Sequence, residues 1–284
     1  MNIVKVIKRF SIVALAFAFP ALAFAQGGFA PPGLAIEAVT DNVYIIRGGF
    51  SGNVTVLISD DGVTLIDDKF EMDFEGIVEL VESVTDQPIR AVINTHLHGD
   101  HTGSNALLQA QGADVIASLN ARVIMAETLE AGLPNITMTD YMRIYVGDMP
   151  VDLYYFGRGH TDGDIVVHLP EERIVIMGDL FALWGPYESV IHYAAGGSVR
   201  DWPRTLDAAL KLDFETVIPG HSGITERSQI EGYRDYLSRL GQMVREMNQS
   251  EKTRDEISAM LESEFRWGGL SMGVGLDGVI AEMQ

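Results

Sequence analysis

From residue 42 the chain alternates short, β-branched apolar runs with turn residues. The first three runs, 42–47, 53–59 and 63–67, are parted by Gly48-Gly49 and Asp60-Asp61-Gly62, a pattern that predicts a meander of strands. Between 71 and 86 the spacing changes. Phe74, Ile77, Val78, Leu80 and Val81 recur at the interval of an amphipathic helix. A strand expected to be buried follows over 89–94, then helical spacing over 105–111 and 118–131. The second half repeats the order, with strands over 151–156, 164–169 and 173–177, a helix over 201–212 and a buried strand over 216–219. Amphipathic helices over 226–249 and 251–265 complete it, with Met243, Met247 and Met260 reading as core filling. Two β-rich halves, each closed by helices, predict an α/β chain of two face-to-face sheets with helices outside. One domain over 39–284 accounts for the whole pattern.

Residues 1–25 stand apart from it. Lys5, Lys8 and Arg9 precede an apolar run from Ser11 to Ala21, and Ala23-Phe24-Ala25 has the small-x-small form of a cleavage site. This is the pattern of a secretory signal peptide. The run is short for the ~20 residues of a membrane span. Residues 26–38 then read as a Pro/Gly linker, and the expected product is a soluble periplasmic protein with no membrane anchor.

Composition narrows the chemistry. Of 284 residues, 47% are hydrophobic, which fits a globular domain and excludes a disordered one. Forty acidic against twenty basic residues give a net charge of −20, and loss of the three leader cations would take it to −23. Nucleic acid is thereby excluded as a partner, and a small-molecule substrate remains. There is no cysteine, so disulfides, thiolate nucleophiles and cysteine-bound metals are all ruled out. Any metal must be held by His, Asp or Glu.

Three of only seven histidines fall in the six residues His96-Leu97-His98-Gly99-Asp100-His101, at the end of the 89–94 strand. Neutral imidazoles with one carboxylate suit zinc or a similar first-row ion. Further donors stand at other strand ends: His160 in Gly159-His160-Thr161, Asp179 after Gly178, and His221 after Pro219-Gly220. Each alone is weak. Together they supply a donor set for two ions.

With these residues in hand, the chain resembles the metallo-β-lactamase superfamily over roughly residues 39–222. The marks are Asp67 in Leu65-Ile66-Asp67, the Thr95–His101 segment, His160, Asp179 and His221, in that order. The resemblance implies an αββα sandwich with two zinc ions at one edge. It implies that His96, His98 and His160 bind the first ion, that Asp100, His101 and His221 bind the second, and that Asp179 bridges them. Asp67 is then the carboxylate supporting the ligand loop. The donor set implies hydrolysis of a carbonyl compound by a hydroxide held between the ions, with Asp100 as the catalytic carboxylate that orients it.

The other candidates are less determined. His168 reads as a satisfied strand histidine. Ser198 lacks a triad, because the histidines it would need are committed to metal. His192 and Tyr187, in the 182–198 stretch after Asp179, are candidate substrate contacts, as is Phe50 in the Gly48–Gly52 turn, a candidate apolar flap. Export and the strain of a four-membered amide favour β-lactam antibiotics as substrate, and hence a role in resistance. Against this, dedicated β-lactamases of the superfamily carry Cys or Ser where this chain has Asp179, which favours a thioesterase, lactonase or esterase. A non-catalytic metal-binding or accessory protein is the third reading.

Overall fold

The computed structural model describes residues 33–182 and 189–284. The expected signal peptide and Tyr187 lie outside them. A seven-stranded sheet runs in spatial order β1 (Ala35–Ala38), β2 (Val43–Arg47), β3 (Val54–Ser59), β4 (Gly62–Ile66), β5 (Ile89–Ile93), β6 (Asp114–Ser118) and β7 (Ile136–Met138). Strands β1 to β4 are antiparallel, as the meander predicts, and β4 to β7 are parallel. Parallel neighbours need crossovers, and these carry α1 (Phe74–Glu82), α2 (Gly99–Thr102), α3 (Asn105–Ala110) and α4 (Leu119–Met125). The second sheet contains β8 (Tyr141–Val146), β9 (Met149–Tyr154), β10 (Val166–Leu169), β11 (Ile174–Ile176), β12 (Thr216–Ile218) and β13 (Thr225–Glu226), in the order β13-β12-β11-β10-β9-β8. Over it lie α5 (Trp202–Ala209), α6 (Arg227–Gln249), α7 (Arg254–Phe265) and α8 (Gly269–Glu282).

The two-residue period of the strands sorts side chains into three layers of core. Val43 and Ile45 of β2, Ile93 of β5, Val167 and Leu169 of β10 and Ile174 and Ile176 of β11 face each other between the sheets. Ile46, Val54, Val56 and Leu65 face the other way, onto Ile77 and Val81 of α1 and Leu108 of α3. Val166, Val175 and Val217 pack outward under Trp202, Tyr233, Leu237 and Leu261 of the later helices. Burial on both faces explains why these strands read as continuous apolar runs.

Several elements differ from the sequence expectation. Residues 35–38, expected in the linker, form β1, because Ile36 packs on the outer core and Ala35 pairs with Arg47. The 118–131 helix ends at Met125: Ser118 caps its start by accepting from the Ala121 N–H, and turns follow. Strands β6, β7 and β8 and helix α8 were not expected. Helix α8 carries four glycines, which oppose a helix by propensity. Packing overrides that cost, since a Cβ on Gly278 would lie 2.1 Å from the Tyr193 ring. No helix among the described residues is long and apolar enough to cross a membrane.

Candidate metal centre

The topology brings the predicted donors to one edge of the sandwich. Parallel β4 and β5 end there, delivering Asp67 and the Thr95–His101 segment. Parallel β11 and β12 end there too, delivering Asp179 and His221, and antiparallel β10 starts there after His160. Two glycines permit the close approach of these turns. A Cβ on Gly220 would fall 2.1 Å from Asp179 Oδ1, and one on Gly178, at φ 49°, would fall 2.1 Å from Thr95 Oγ1.

All seven predicted donors meet there, in two groups. In the first, His98 Nδ1 lies 3.1 Å from His96 Nε2 and 2.8 Å from His160 Nε2. Asp179 Oδ2 is 3.9 and 3.7 Å from His96 and His160. In the second, Asp100 Oδ2 lies 3.4 Å from His101 Nε2 and 3.2 Å from His221 Nε2. Asp179 turns its other oxygen, Oδ1, toward those histidines at 3.3 and 3.4 Å. That oxygen is buried and has no hydrogen-bond partner.

Outer contacts orient the rings. Asp67 accepts the Thr95 N–H at 2.7 Å, the Thr95 hydroxyl at 2.8 Å and His101 Nδ1–H at 2.8 Å. With its proton given to Asp67, Thr95 Oγ1 accepts from His96 Nδ1 at 3.1 Å. His160 Nδ1 donates to the Val190 carbonyl at 2.6 Å. His98 Nε2 lies 2.7 Å from His192 Nδ1. Each of these partners occupies the ring nitrogen facing away from the group and leaves a lone pair facing in. Converging lone pairs and an orphaned carboxylate oxygen are what a cation would satisfy, so the residues fit a metal pair.

The electrostatics of the two groups differ. Burial, reinforced by His101 for His96 and by His160 for His98, holds both rings well below the usual histidine range, so they stand neutral and ready to ligate. In the second group burial is outweighed. Asp100, Asp179 and Asp67 raise His101, and Asp179 and Asp100 raise His221. Asp100 is held well below the carboxylate range by His101 and His221, despite its burial. The second group therefore favours a proton more than the first does, and a metal binding there would compete with it.

The surrounding residues make a cleft of about 410 Å³ lined by Arg47, Gly48, Phe50, Asn53, His221 and Ser222, among others. Phe50 sits on its wall, 46% exposed. Two residues with no part in the sequence reading build this region. Lys69 is wholly buried at φ 60°, and its ammonium donates to the carbonyls of Gly48 at 3.0 Å and Gly52 at 2.5 Å. Burial lowers it to about 8 against the pull of Asp73, Asp100 and Asp67. Asn53 donates through Nδ2 to the Pro219 and Ser222 carbonyls, clamping the first sheet to the His221 turn. The available signal was three charged residues, Asp67-Asp68-Lys69, directly after a buried strand. His168 lies in a strand as expected and donates Nε2–H to Asp213 O at 3.0 Å, but it is only half satisfied, since its buried Nδ1 has no hydrogen-bond partner. Ser198 is engaged by Glu282 rather than by a histidine.

A sandwich that gathers histidines and aspartates into two metal-binding groups at the edge of a cleft defines the class of metal-dependent hydrolases. The chain belongs to the metallo-β-lactamase superfamily, whose sequence profile matches residues 47–221. It is 27% identical over 205 residues to metallo-beta-lactamase type 2 of Bacillus cereus, covering 68% of this chain and 78% of the relative. It is 28% identical over 200 residues to the protein of the same name from Bacteroides fragilis, covering 66% and 79%. Among solved structures, a metallo-beta-lactamase from Pontibacter korlensis superposes with a TM-score of 0.65 at 21% identity, covering 72% of this chain and 99% of that one. FIM-1 from Pseudomonas aeruginosa in its mono-zinc form gives 0.63 at 20% identity, covering 73% and 96%. The fold is the αββα sandwich of that superfamily.

Proposed function

We propose that this hydrolase holds two zinc ions and opens the four-membered amide of β-lactams. His96, His98 and His160 would hold the first ion, Asp100, His101 and His221 the second, and Asp179 would bridge them. The observation that carries this reading is Asp179, buried, with one oxygen turned to each histidine group and Oδ1 lacking any hydrogen-bond partner. Those residues would hold zinc where it would supply a polarised carbonyl and a bound water with its pKa lowered toward ~7. The chain's own residues do the rest. Asp100, its side chain 19% exposed, is the carboxylate best placed to orient the attacking water and accept its proton. Phe50 lines the cleft with apolar surface, and the Lys69 ammonium holds that loop at both ends. Arg47, also on the cleft wall, has its charge paired with Glu37. The relatives named metallo-beta-lactamase support the substrate class, and the 1–25 leader would carry the enzyme to the periplasm.

Asp179 also favours a second reading. Relative to an uncharged serine at that position, an anionic bridge would remove one unit of positive charge from the metal pair and make it a weaker electrophile for a departing nitrogen. Modest β-lactam turnover accompanied by lactone, ester or thioester hydrolysis is therefore expected. The test is a panel of a cephalosporin, a carbapenem, a homoserine lactone and an acyl thioester, run on protein with two zinc equivalents and again after chelation. β-Lactam turnover that chelation abolishes supports the lead. Turnover of the thioester or lactone alone moves the assignment to the second reading. Chelator-insensitive turnover overturns both.

A further inference from the structure

We infer that His192 is a positioning residue for the first metal group, accepting the outer proton of His98. The inference rests on the metal-binding reading above. If His98 ligates through Nδ1, which faces His96 and His160, its remaining proton is on Nε2 and needs an acceptor. His192 Nδ1 stands 2.7 Å from that nitrogen, with the two ring planes 30° apart and their centroids separated by 5.0 Å. The other supported ligands use different acceptors: a carboxylate for His101, a hydroxyl for His96 and a peptide carbonyl for His160. His98 alone of these four leans on a second imidazole.

The backbone shows that this placement is built rather than incidental. The His192 N–H donates to the carbonyl of His160 at 3.0 Å, so the residue touches two of the three histidines of the group. Its own carbonyl accepts from Ala195 and Gly197, closing a tight turn that passes through Gly196 at φ 79°. A Cβ on Gly197 would lie 2.4 Å from the His160 carbonyl. Helix α8 fastens the turn from outside, where Glu282 accepts from the Tyr193 hydroxyl at 2.9 Å, from the Ser198 hydroxyl and from the Arg200 N–H at 3.2 Å. The imidazole is thus held against His98 by a frame reaching to the C-terminal helix. Partners of this kind set ligand orientation and basicity, and losing one weakens metal binding about 10–100-fold.

The experiment compares zinc affinity, by competition with a chromophoric chelator, in the full chain and in three variants. Asn at 192 keeps an acceptor where Nδ1 stands, while Phe and Ala remove it. Expected are affinity within about threefold of wild type for His192→Asn and a loss of at least about 10-fold at one of two sites for His192→Phe and His192→Ala, with unchanged circular dichroism. Should one of the apolar variants not fold, the other serves. Zinc binding by the folded apolar variants as tight as by wild type overturns the inference and leaves the functional reading standing. An Asn variant as weak as the apolar pair also overturns it, since an acceptor would then not be what matters. A wild-type chain that binds no zinc removes both.

Discussion

Replacing Asp67 by Asn changes almost no volume, yet it should disarm half of the metal centre. The carboxylate is 2% exposed and accepts three hydrogen bonds, two from Thr95 and one from His101. An amide retains one acceptor, which the Thr95 N–H can keep. Its NH₂ replaces Oδ2, which accepts from both the Thr95 hydroxyl and His101 Nδ1. A donor there drives the His101 proton to Nε2, the nitrogen that faces Asp100, Asp179 and His221. Losing such a partner weakens metal binding about 10–100-fold, or about 1.4–2.7 kcal/mol, and the loss should fall on the second group. Two charge-assisted bonds, taken at the lower end of about 1.5–3 kcal/mol each, put the cost to the metal-free fold near 3 kcal/mol. For a domain of this size that is a Tm lower by about 6–12 °C. Calorimetry with and without chelator, beside zinc stoichiometry at limiting metal, measures both effects. An Asp67→Asn protein that retains two tightly held zinc ions would refute the tautomer argument, whatever happened to its Tm.

Lys69→Met keeps the buried length but removes the ammonium that ties Gly48 and Gly52. It should raise KM by about 3–10-fold, the worth of roughly one net hydrogen bond, while zinc content stays at the wild-type value. An unchanged KM would show that the Phe50 loop does not need this tie. Burial raises Asp164 to about 6 from an ordinary 3.8, so the folded state keeps a proton that the unfolded chain has already lost. Stability must then fall as pH rises between those values, by up to about 3 kcal/mol. In chelated protein, unfolding free energies of wild type and Asp164→Asn should diverge across pH 4 to 6.5, with the wild type losing ground. Parallel curves would place the Asp164 proton elsewhere.

What the linear chain determines here is chemistry and period. The absence of cysteine limits any metal to His and carboxylate donors, and His96-Leu97-His98-Gly99-Asp100-His101 concentrates them in a segment too dense for a solvated loop. Apolar alternation in 42–66 marked the meander because those strands are bounded by Gly and Asp turns that any local reading detects. Strands β6 to β8 escaped because their runs are short, and a short apolar run serves a buried helix as well as a strand. Helix α8 escaped because its glycines oppose a helix locally and are needed only where Tyr193 and Trp267 press against it. The same limit governs the site. Each donor could be named one at a time from its strand end, and the family resemblance supplied their division into two groups, but their meeting at one edge depends on β11 and β12 running parallel while β10 runs against them. Lys69 under the Phe50 loop, Asn53 across the sheets and His192 behind His98 were decided by tertiary structure alone. Their roles lie in contacts spanning 17 to 169 positions of sequence, and no local pattern encodes a partner that far away.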